Sequence, residues 1–225
     1  MYSIVDNFLG DGQFKSIREW ISDKITFTAP GAYWPEKLMK FDDVEINGPN
    51  YRPAYDYLNG QDLTGALKVL NPFHEKIINH LNDNVDKYKL VPSNGRMTRF
   101  RSYVYRYKKG SGILIHTDNN REDDKFSKRY GITYYVNEKW HPNWGGETLL
   151  YESKKEGVHG KVSNQIPEDL NPIVAVLPKR NRLMIVDDLW HKVYPNMNPA
   201  VDRLVIQSFL KIESKNKTEK KNEDI

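Results

Sequence analysis

Residues 100–118 read FRSYVYRYKKGSGILIHTD, and this stretch determines how the rest of the chain is interpreted. Its first half places an arginine and three tyrosines at alternate positions, which is the two-residue period of a β-strand. A glycine-rich turn follows at 109–112, and then a short apolar run at Ile113–His116. The stretch therefore predicts two successive strands, the second of which ends close to Asp118.

Short strand patterns recur toward the C-terminus, with turn signals between them. They predict strands at Tyr130–Asn137, Glu147–Tyr151, Ile173–Leu177, Arg182–Asp187, Lys192–Tyr194 and Arg203–Ile212. Because no helical pattern separates these strands, they favour a β-sandwich or jelly roll over an alternating α/β fold.

The N-terminal part of the chain has helical periodicity instead. Asp11 can cap a helix whose apolar residues recur at helical spacing, namely Phe14, Ile17, Ile21 and Ile25. A second helix is predicted to begin near Asp62, and Asn71-Pro72 predicts the cap and first turn of a separate third helix. We expect the helices to pack on the outside of the sheet, so that the fold is mainly β with N-terminal helices (α+β).

These patterns divide the chain into three predicted regions. Residues 1–95 form a helical and irregular support region, with a long irregular connection and short strands at 29–60. Residues 96–212 form the β core. Residues 213–225 are nearly all polar and are predicted to be a disordered tail.

The composition excludes several classes of function. The 225 residues contain no cysteine, which rules out disulfides, thiolate metal sites, iron–sulfur clusters and a cysteine nucleophile, and favours a cytoplasmic location. We find no run of ~20 apolar residues for a membrane helix and no signal-peptide pattern at the start. The net charge of +4, from 34 basic and 30 acidic residues, is too small an excess to indicate a nucleic-acid partner.

His116 and Asp118 form a His-x-Asp pair at a predicted strand end. Residues i and i+2 of a strand point to the same face, so the imidazole and the carboxylate can reach one metal ion. His191 begins a later strand pattern and is the natural third ligand. Two histidines and one carboxylate form the facial triad of non-haem Fe(II) oxygenases. By residue type alone, ordinary strand-end histidines stay open as the alternative.

Several segments between Met97 and Ile212 occur in an order that a known family shares. They are Arg106–Gly110 leading to His116–Asp118, Tyr130–Asn137, Trp144–Thr148, Arg180–Val186 with His191–Val193, and Arg203–Phe209. Each segment is unspecific alone, but the ordered set resembles the 2-oxoglutarate- and Fe(II)-dependent oxygenases of the prolyl 4-hydroxylase type.

This resemblance implies a double-stranded β-helix, a distorted jelly roll with iron at one open end. It implies that His116, Asp118 and His191 bind Fe(II) and that O2 reacts there. Relatives that halogenate lack the carboxylate ligand, so Asp118 implies hydroxylation.

The resemblance also implies a 2-oxoglutarate pocket. Arg203 would pair with the far carboxylate of this cosubstrate, for which a planar and always-charged side chain is suited. Tyr135 and Tyr107 match family positions that assist this carboxylate and line the pocket, and both equally fit half-buried sheet aromatics. The family resemblance admits ascorbate as an additional cofactor.

The favoured substrate is a prolyl residue in a peptide or protein. A free amino acid, a small metabolite and a non-catalytic jelly-roll module for binding or structure stay open as alternatives. Nucleic-acid demethylases of the wider superfamily carry a second arginine six residues after the first, where Phe209 stands here. The charged loop at 119–129 is interpreted either as a lid over the substrate or as a solvated loop, and 158–171 resembles an insertion.

Overall fold

The structure, a computed structural model, describes residues 2–24, 27–28, 44–47, 64–84, 88–90, 100–118, 127–152, 166–187 and 189–214. Within these ranges the helices are α1 (Asp11–Lys24) and α2 (Thr64–Asn84). The strands are β1 (Tyr2–Val5), β2 (Phe27–Thr28), β3 (Val44–Asn47), β4 (Tyr88–Leu90), β5 (Phe100–Tyr107), β6 (Ile113–His116), β7 (Ser127–Tyr135), β8 (Thr148–Glu152), β9 (Asn171–Val176), β10 (Arg182–Asp187), β11 (Trp190–Val193) and β12 (Arg203–Ser214).

The strands form two antiparallel sheets. The major sheet has the order β1-β10-β7-β12-β5-β3-β2, with β4 also paired to β12, and the minor sheet has the order β6-β11-β8-β9. Tyr107 and Val205 of the major sheet share one buried cluster with Ile113 and Val193 of the minor sheet. Two antiparallel sheets that face each other across such a core form a jelly roll, so the predicted fold class is confirmed.

The major sheet packs on both of its sides, because successive side chains of a strand point to opposite faces. On the side away from the minor sheet, Ile132 and Ile206 join a second buried cluster with Phe14 of α1 and Ile77 of α2. We call this side the helix face and the opposite side the cavity face. The helices therefore cover the outside of the sheet, as predicted.

The expectation of two separate helices around Asn71-Pro72 is wrong, because α2 runs through this point with Pro72 inside it. A proline in a helix interior removes a backbone hydrogen bond and costs about 3 kcal/mol. The buried residues Leu70, Phe73 and Ile77 nevertheless form one stripe across it, and burying each such side chain is worth about 1.5–3 kcal/mol. Packing on the sheet outweighs the local cost. Neither α1 nor α2 is both long and apolar enough to cross a membrane.

The strand positions agree with the sequence patterns to within a few residues, and β6 and β10 have the predicted bounds. β12 continues to Ser214, two residues into the predicted tail, where its end pairs with β4. β3 comes from the predicted irregular connection at 29–60. The rest of that connection, the tail beyond 214 and most of the loops at 119–129 and 158–171 lie outside the described residues. The division into three regions stays a prediction.

Candidate metal and cosubstrate site

The two candidate histidines lie side by side because of strand register. β11 pairs with β6 so that His191 is the direct partner of His116, and their ring centroids are 4.3 Å apart. Asp118 follows β6 and turns its carboxylate toward both rings. Its Oδ1 lies 3.8 Å from His116 Nε2, and its Oδ2 lies 3.6 Å from His191 Nε2. We call these three residues the triad.

Backbone hydrogen bonds select the tautomer of both histidines. The Nδ1 atom of His116 lies 2.7 Å from the carbonyl oxygen of Leu114, and that of His191 lies 2.9 Å from the carbonyl oxygen of Leu189. Because a carbonyl only accepts, each Nδ1 carries the proton and donates it. In its neutral form each ring then presents the lone pair of Nε2 to the space beside Asp118, as a metal-binding histidine does.

The donor set of the triad fits an iron ion. Its three ligand atoms lie within 4.8 Å of one another, and it is the group in the described part of the chain that could hold a metal ion. Two imidazoles and one carboxylate suit Fe(II) and leave coordination positions open for other ligands. The structure thus brings the three predicted ligands together, and their binding of iron stays a prediction.

Arg203 is buried between the two sheets, and one of its nitrogen donors has no hydrogen-bond partner within the described ranges. Its side chain is 1% exposed, its Nε donates to the carbonyl oxygen of Gly146 at 2.7 Å, and its Nη2 donates to Thr148 Oγ1 at 3.1 Å. Its Nη1 is buried and has no hydrogen-bond partner among the described residues. A buried cation with an unused donor is costly unless an anion pairs with it. The arrangement therefore indicates an anionic ligand.

The two predicted tyrosines both lie against this guanidinium. The Arg203 Cζ atom is 4.6 Å from the ring centroid of Tyr107 and 5.2 Å from that of Tyr135. Burial raises the pKa of Tyr107 to about 12, although the positive charge of Arg203 opposes the shift, so its hydroxyl stays protonated at neutral pH. The Tyr135 hydroxyl and Thr148 Oγ1 are hydrogen bonded at 3.0 Å. Tyr107 faces the cavity directly, whereas Tyr135 supports Thr148. Contact of either with a cosubstrate stays a prediction.

One cavity connects the triad with Arg203, and Thr148 also lines it. The register of β8 and β11 sets the spacing of its two ends. Thr148 is paired with Val193, and Leu150 is paired with His191. Thr148 and His191 are therefore offset by two strand positions, or about 7 Å along the strand direction.

Sequence reasoning missed three polar residues of the cavity wall. Thr148 ends a segment that carries the resemblance, but its bond to Arg203 depends on contact between the sheets. Thr133 and Gln207 are direct partners in β7 and β12, and Thr133 Oγ1 donates to Gln207 Oε1 at 2.7 Å. This bond orients the Gln207 amide and leaves its Nε2 as a donor at the cavity. For Gln207 the usable signal was its position four residues after Arg203 in the same strand, which places both side chains on one face.

Comparison with protein families identifies this arrangement. A family model described as the 2OG-Fe(II) oxygenase superfamily matches residues 102–211. The match contains the triad and Arg203. The matched segment, 110 of the 225 residues, belongs to this superfamily. Membership of the oxygenase family implies Fe(II) and 2-oxoglutarate, and the residues present fit both, whereas ascorbate stays a prediction.

Solved structures with the same fold include oxygenases with different ligands. A prolyl-4-hydroxylase from Pseudomonas putida is 15% identical, and the match covers 93% of this chain and 91% of that one, with a TM-score of 0.56. A prolyl hydroxylase from Trichoplax adhaerens, in complex with a peptide fragment of the hypoxia inducible factor oxygen degradation domain, is 18% identical over 93% and 82%, with a TM-score of 0.62. HygX from Streptomyces hygroscopicus, with nickel, 2-oxoglutarate and hygromycin B bound, is 14% identical over 95% and 83%, with a TM-score of 0.56. At these identities, the similarity shows the jelly-roll fold of the oxygenases.

Proposed function

We propose that this oxygenase is a 2-oxoglutarate- and Fe(II)-dependent dioxygenase that hydroxylates an unactivated C–H bond. The observation that carries the proposal is one cavity with the triad at one end and the incompletely paired Arg203 at the other. A keto acid that chelates metal and carries a second carboxylate can satisfy both ends.

At the Arg203 end, the far carboxylate of 2-oxoglutarate would accept a hydrogen bond from Nη1. A guanidinium is suited to this task because it is planar, always charged and able to donate two parallel bonds. Its bonds to Gly146 and Thr148 hold it in one orientation before the ligand arrives. Burial keeps water away from the ion pair and strengthens it.

At the triad end, the two Nε2 lone pairs and the Asp118 carboxylate would hold Fe(II). Bound iron and 2-oxoglutarate supply the oxidative chemistry that uses O2. The carbonyl groups of Leu114 and Leu189 keep both imidazoles oriented as ligands. The facing sheets enclose the site and limit the access of water.

We further propose a prolyl residue in a peptide or protein as the substrate. Two proteins with the same fold are prolyl hydroxylases, and one of them was solved with a peptide. Away from the triad and Arg203, the cavity wall is largely aromatic or aliphatic: Tyr105, Ile113, Val193 and Phe209. Such a wall suits a saturated ring, and the Nε2 of Gln207 offers a donor to a peptide carbonyl.

A small molecule or free amino acid is the second candidate substrate. It is supported by the shared fold with HygX, whose structure contains hygromycin B. A purely structural module is disfavoured, because burying Arg203 without a ligand would cost stability and gain nothing, whereas a non-catalytic binding module is distinguished from the enzyme by its lack of succinate production. The cytoplasmic location proposed from the cysteine-free sequence is independent of this choice.

The test is a coupled assay with Fe(II), 2-oxoglutarate and O2, with and without ascorbate. Succinate is measured together with the mass of each peptide in a proline-containing panel. We expect succinate, a gain of one oxygen atom in a peptide, and loss of both with Asp118→Ala. Succinate without a modified peptide would redirect the search to small molecules. No succinate with any candidate from either class would contradict the proposed activity.

A further inference from the structure

The strand beside Asp118 carries a glycine at the point of closest approach. Gly131 lies in β7 between its register partners Val186 in β10 and Phe209 in β12. A Cβ atom at Gly131 would lie 2.1 Å from Asp118 Oδ2 and 3.2 Å from Asp118 Cγ. The carboxylate therefore occupies the space that any side chain at position 131 would need.

Backbone conformation does not account for this glycine. Gly110, Gly145 and Gly146 have positive φ angles, whereas Gly131 is not among the positive-φ residues and lies inside a regular ladder. A glycine within a strand normally weakens it, and often marks a close approach of another group. Gly131 is needed for space rather than for conformation. By contrast, a Cβ at Gly12 would meet no atom of the described residues within 4 Å.

The Asp118 oxygen that a Cβ atom at Gly131 would meet is also the oxygen that faces His191 of β11. Asp118 Oδ2 is the atom 3.6 Å from His191 Nε2. A side chain at 131 would push this oxygen away from His191. β7 is less able to yield, because it pairs with β10 over six residues and with β12 over nine.

We propose that Gly131 is a positioning residue for the metal centre. Its missing side chain lets the Asp118 carboxylate lie against the bare backbone of β7, within reach of the ion that His191 binds. This inference rests on the proposed function, because it requires the triad to hold metal. Gly131 itself touches neither metal nor substrate in this role.

A double-mutant cycle tests the role of Gly131 through Asp118. The proteins are the wild type, Gly131→Ala, Asp118→Ala, the double variant, and Gly12→Ala as a control for adding a methyl group at a glycine in open space. Each is titrated anaerobically with Fe(II), its Co(II) form is compared by absorption spectroscopy, and its metal-free form is melted.

We expect Gly131→Ala to weaken Fe(II) binding at least tenfold, the usual range for groups that orient a ligand, and to change the Co(II) spectrum. In the Asp118→Ala background, the same change should leave Fe(II) affinity unaltered. Gly12→Ala should match the wild type in both measurements. If Gly131→Ala fails to fold but the double variant folds, the steric conflict with the carboxylate is equally confirmed.

Other outcomes overturn the inference. Wild-type metal affinity in Gly131→Ala, or equal losses in both backgrounds, would show that Gly131 does not act through Asp118. A large drop in the melting temperature of both Gly131 variants would assign the glycine to the sheet instead. If Asp118→Ala alone leaves Fe(II) affinity unchanged, the triad does not bind the metal, and the proposed function fails together with this inference. If Asp118→Ala weakens Fe(II) binding and Gly131→Ala does not, only this inference fails.

Discussion

The two faces of the major sheet share the same strands but differ in how completely they are packed. On the helix face, β7 contributes Tyr130, Ile132 and Tyr134, which are all fully buried beneath the helices. On the cavity face, the same strand contributes Gly131, which lies against the Asp118 carboxylate, and Thr133, which lines the cavity. Because successive side chains of a strand point to opposite faces, one set of β7 residues stabilises the core under the helices and the other set contributes to the site.

Buried polar groups lie on both faces, but they differ in charge. On the helix face, His74 Nε2 is hydrogen bonded to Ser102 Oγ at 2.8 Å, and Ser102 Oγ to Ser208 Oγ at 2.7 Å, all of them buried. On the cavity face, Nη1 of the buried Arg203 guanidinium has no hydrogen-bond partner in the part of the chain that the structure describes. A buried cation with an unused donor is costlier than a buried neutral group, and it indicates where an anionic ligand belongs.

The largest effect on stability is expected on the helix face. Phe73 is buried and its ring centroid lies 4.9 Å from that of Tyr134, so Phe73→Ala should lower the free energy of unfolding by about 3–5 kcal/mol. Phe209→Ala makes the same change on the cavity face, where the side chain is only half-buried and already borders a cavity, and it should cost less. Urea unfolding measures both, and equal losses would contradict the division between the faces.

Local patterns were sufficient to predict most of the strands, whereas the triad also required the family resemblance. His116 and Asp118 are two residues apart and β10 leads almost directly to His191, but this spacing alone also fits ordinary strand-end histidines. The continuity of α2 through Pro72 was not predictable, because the sheet that holds it is formed by distant residues. The contact of Gly131 with Asp118 likewise joins residues whose proximity depends on how the two sheets meet.

The second prediction separates ligand binding from stability at Arg203. Arg203→Leu removes the donors for the far carboxylate, and charged hydrogen bonds are worth about 1.5–3 kcal/mol each, so 2-oxoglutarate affinity should fall about 100-fold or more. The free energy of unfolding should be unchanged or higher, because an apolar side chain replaces a buried and incompletely paired cation. Calorimetric titration with Fe(II) present and urea unfolding measure the two quantities.

Arg106→Leu is the matched control for this change. Arg106 lies in β5, lines no part of the cavity and has its Nε 3.8 Å from an oxygen of Asp202. Its replacement should leave 2-oxoglutarate affinity unaltered. If Arg203→Leu binds 2-oxoglutarate as tightly as Arg106→Leu does, the carboxylate site is misassigned.

The third prediction concerns acid stability on the helix face. Burial lowers the pKa of His74 to about 3, from an ordinary 6.5. Between these values the unfolded chain binds a proton that the native chain does not, so the free energy of unfolding falls as the pH is lowered. This group contributes up to about 1.4 kcal/mol per pH unit. His74→Gln should flatten the dependence between pH 6.5 and 4 in metal-free protein, and an unchanged slope of the free energy of unfolding in urea over this range would contradict the prediction.

The smallest effect is expected at the surface, away from both faces. Hydrogen bonds from Arg182 and Lys179 lower the pKa of Asp6 to about 2, from an ordinary 3.8. The stabilisation is therefore present above about pH 4 and is lost as the pH falls through 2. Because Asp6 is largely exposed, Asp6→Asn should cost less than about 1 kcal/mol at pH 7. The difference from the wild type should shrink as the pH falls through 2 and vanish below it, and a difference in urea unfolding that does not shrink over this range would exclude the ion pair as its cause.

The two strand positions between Thr148 and His191 restrict the chain length of the acid that the oxygenase can use. In the proposed function, Thr148 anchors Arg203 and His191 holds the metal, and their offset of about 7 Å along the strand direction is of the order of the length of an extended five-carbon dicarboxylate. Successive members of the series of keto diacids differ in length by one methylene group. The offset between two strand positions, by contrast, changes only in steps of a whole residue, about 3.3 Å. A shorter or longer homologue would therefore lose one of its two anchors, and the backbone repeat of the minor sheet would discriminate between them.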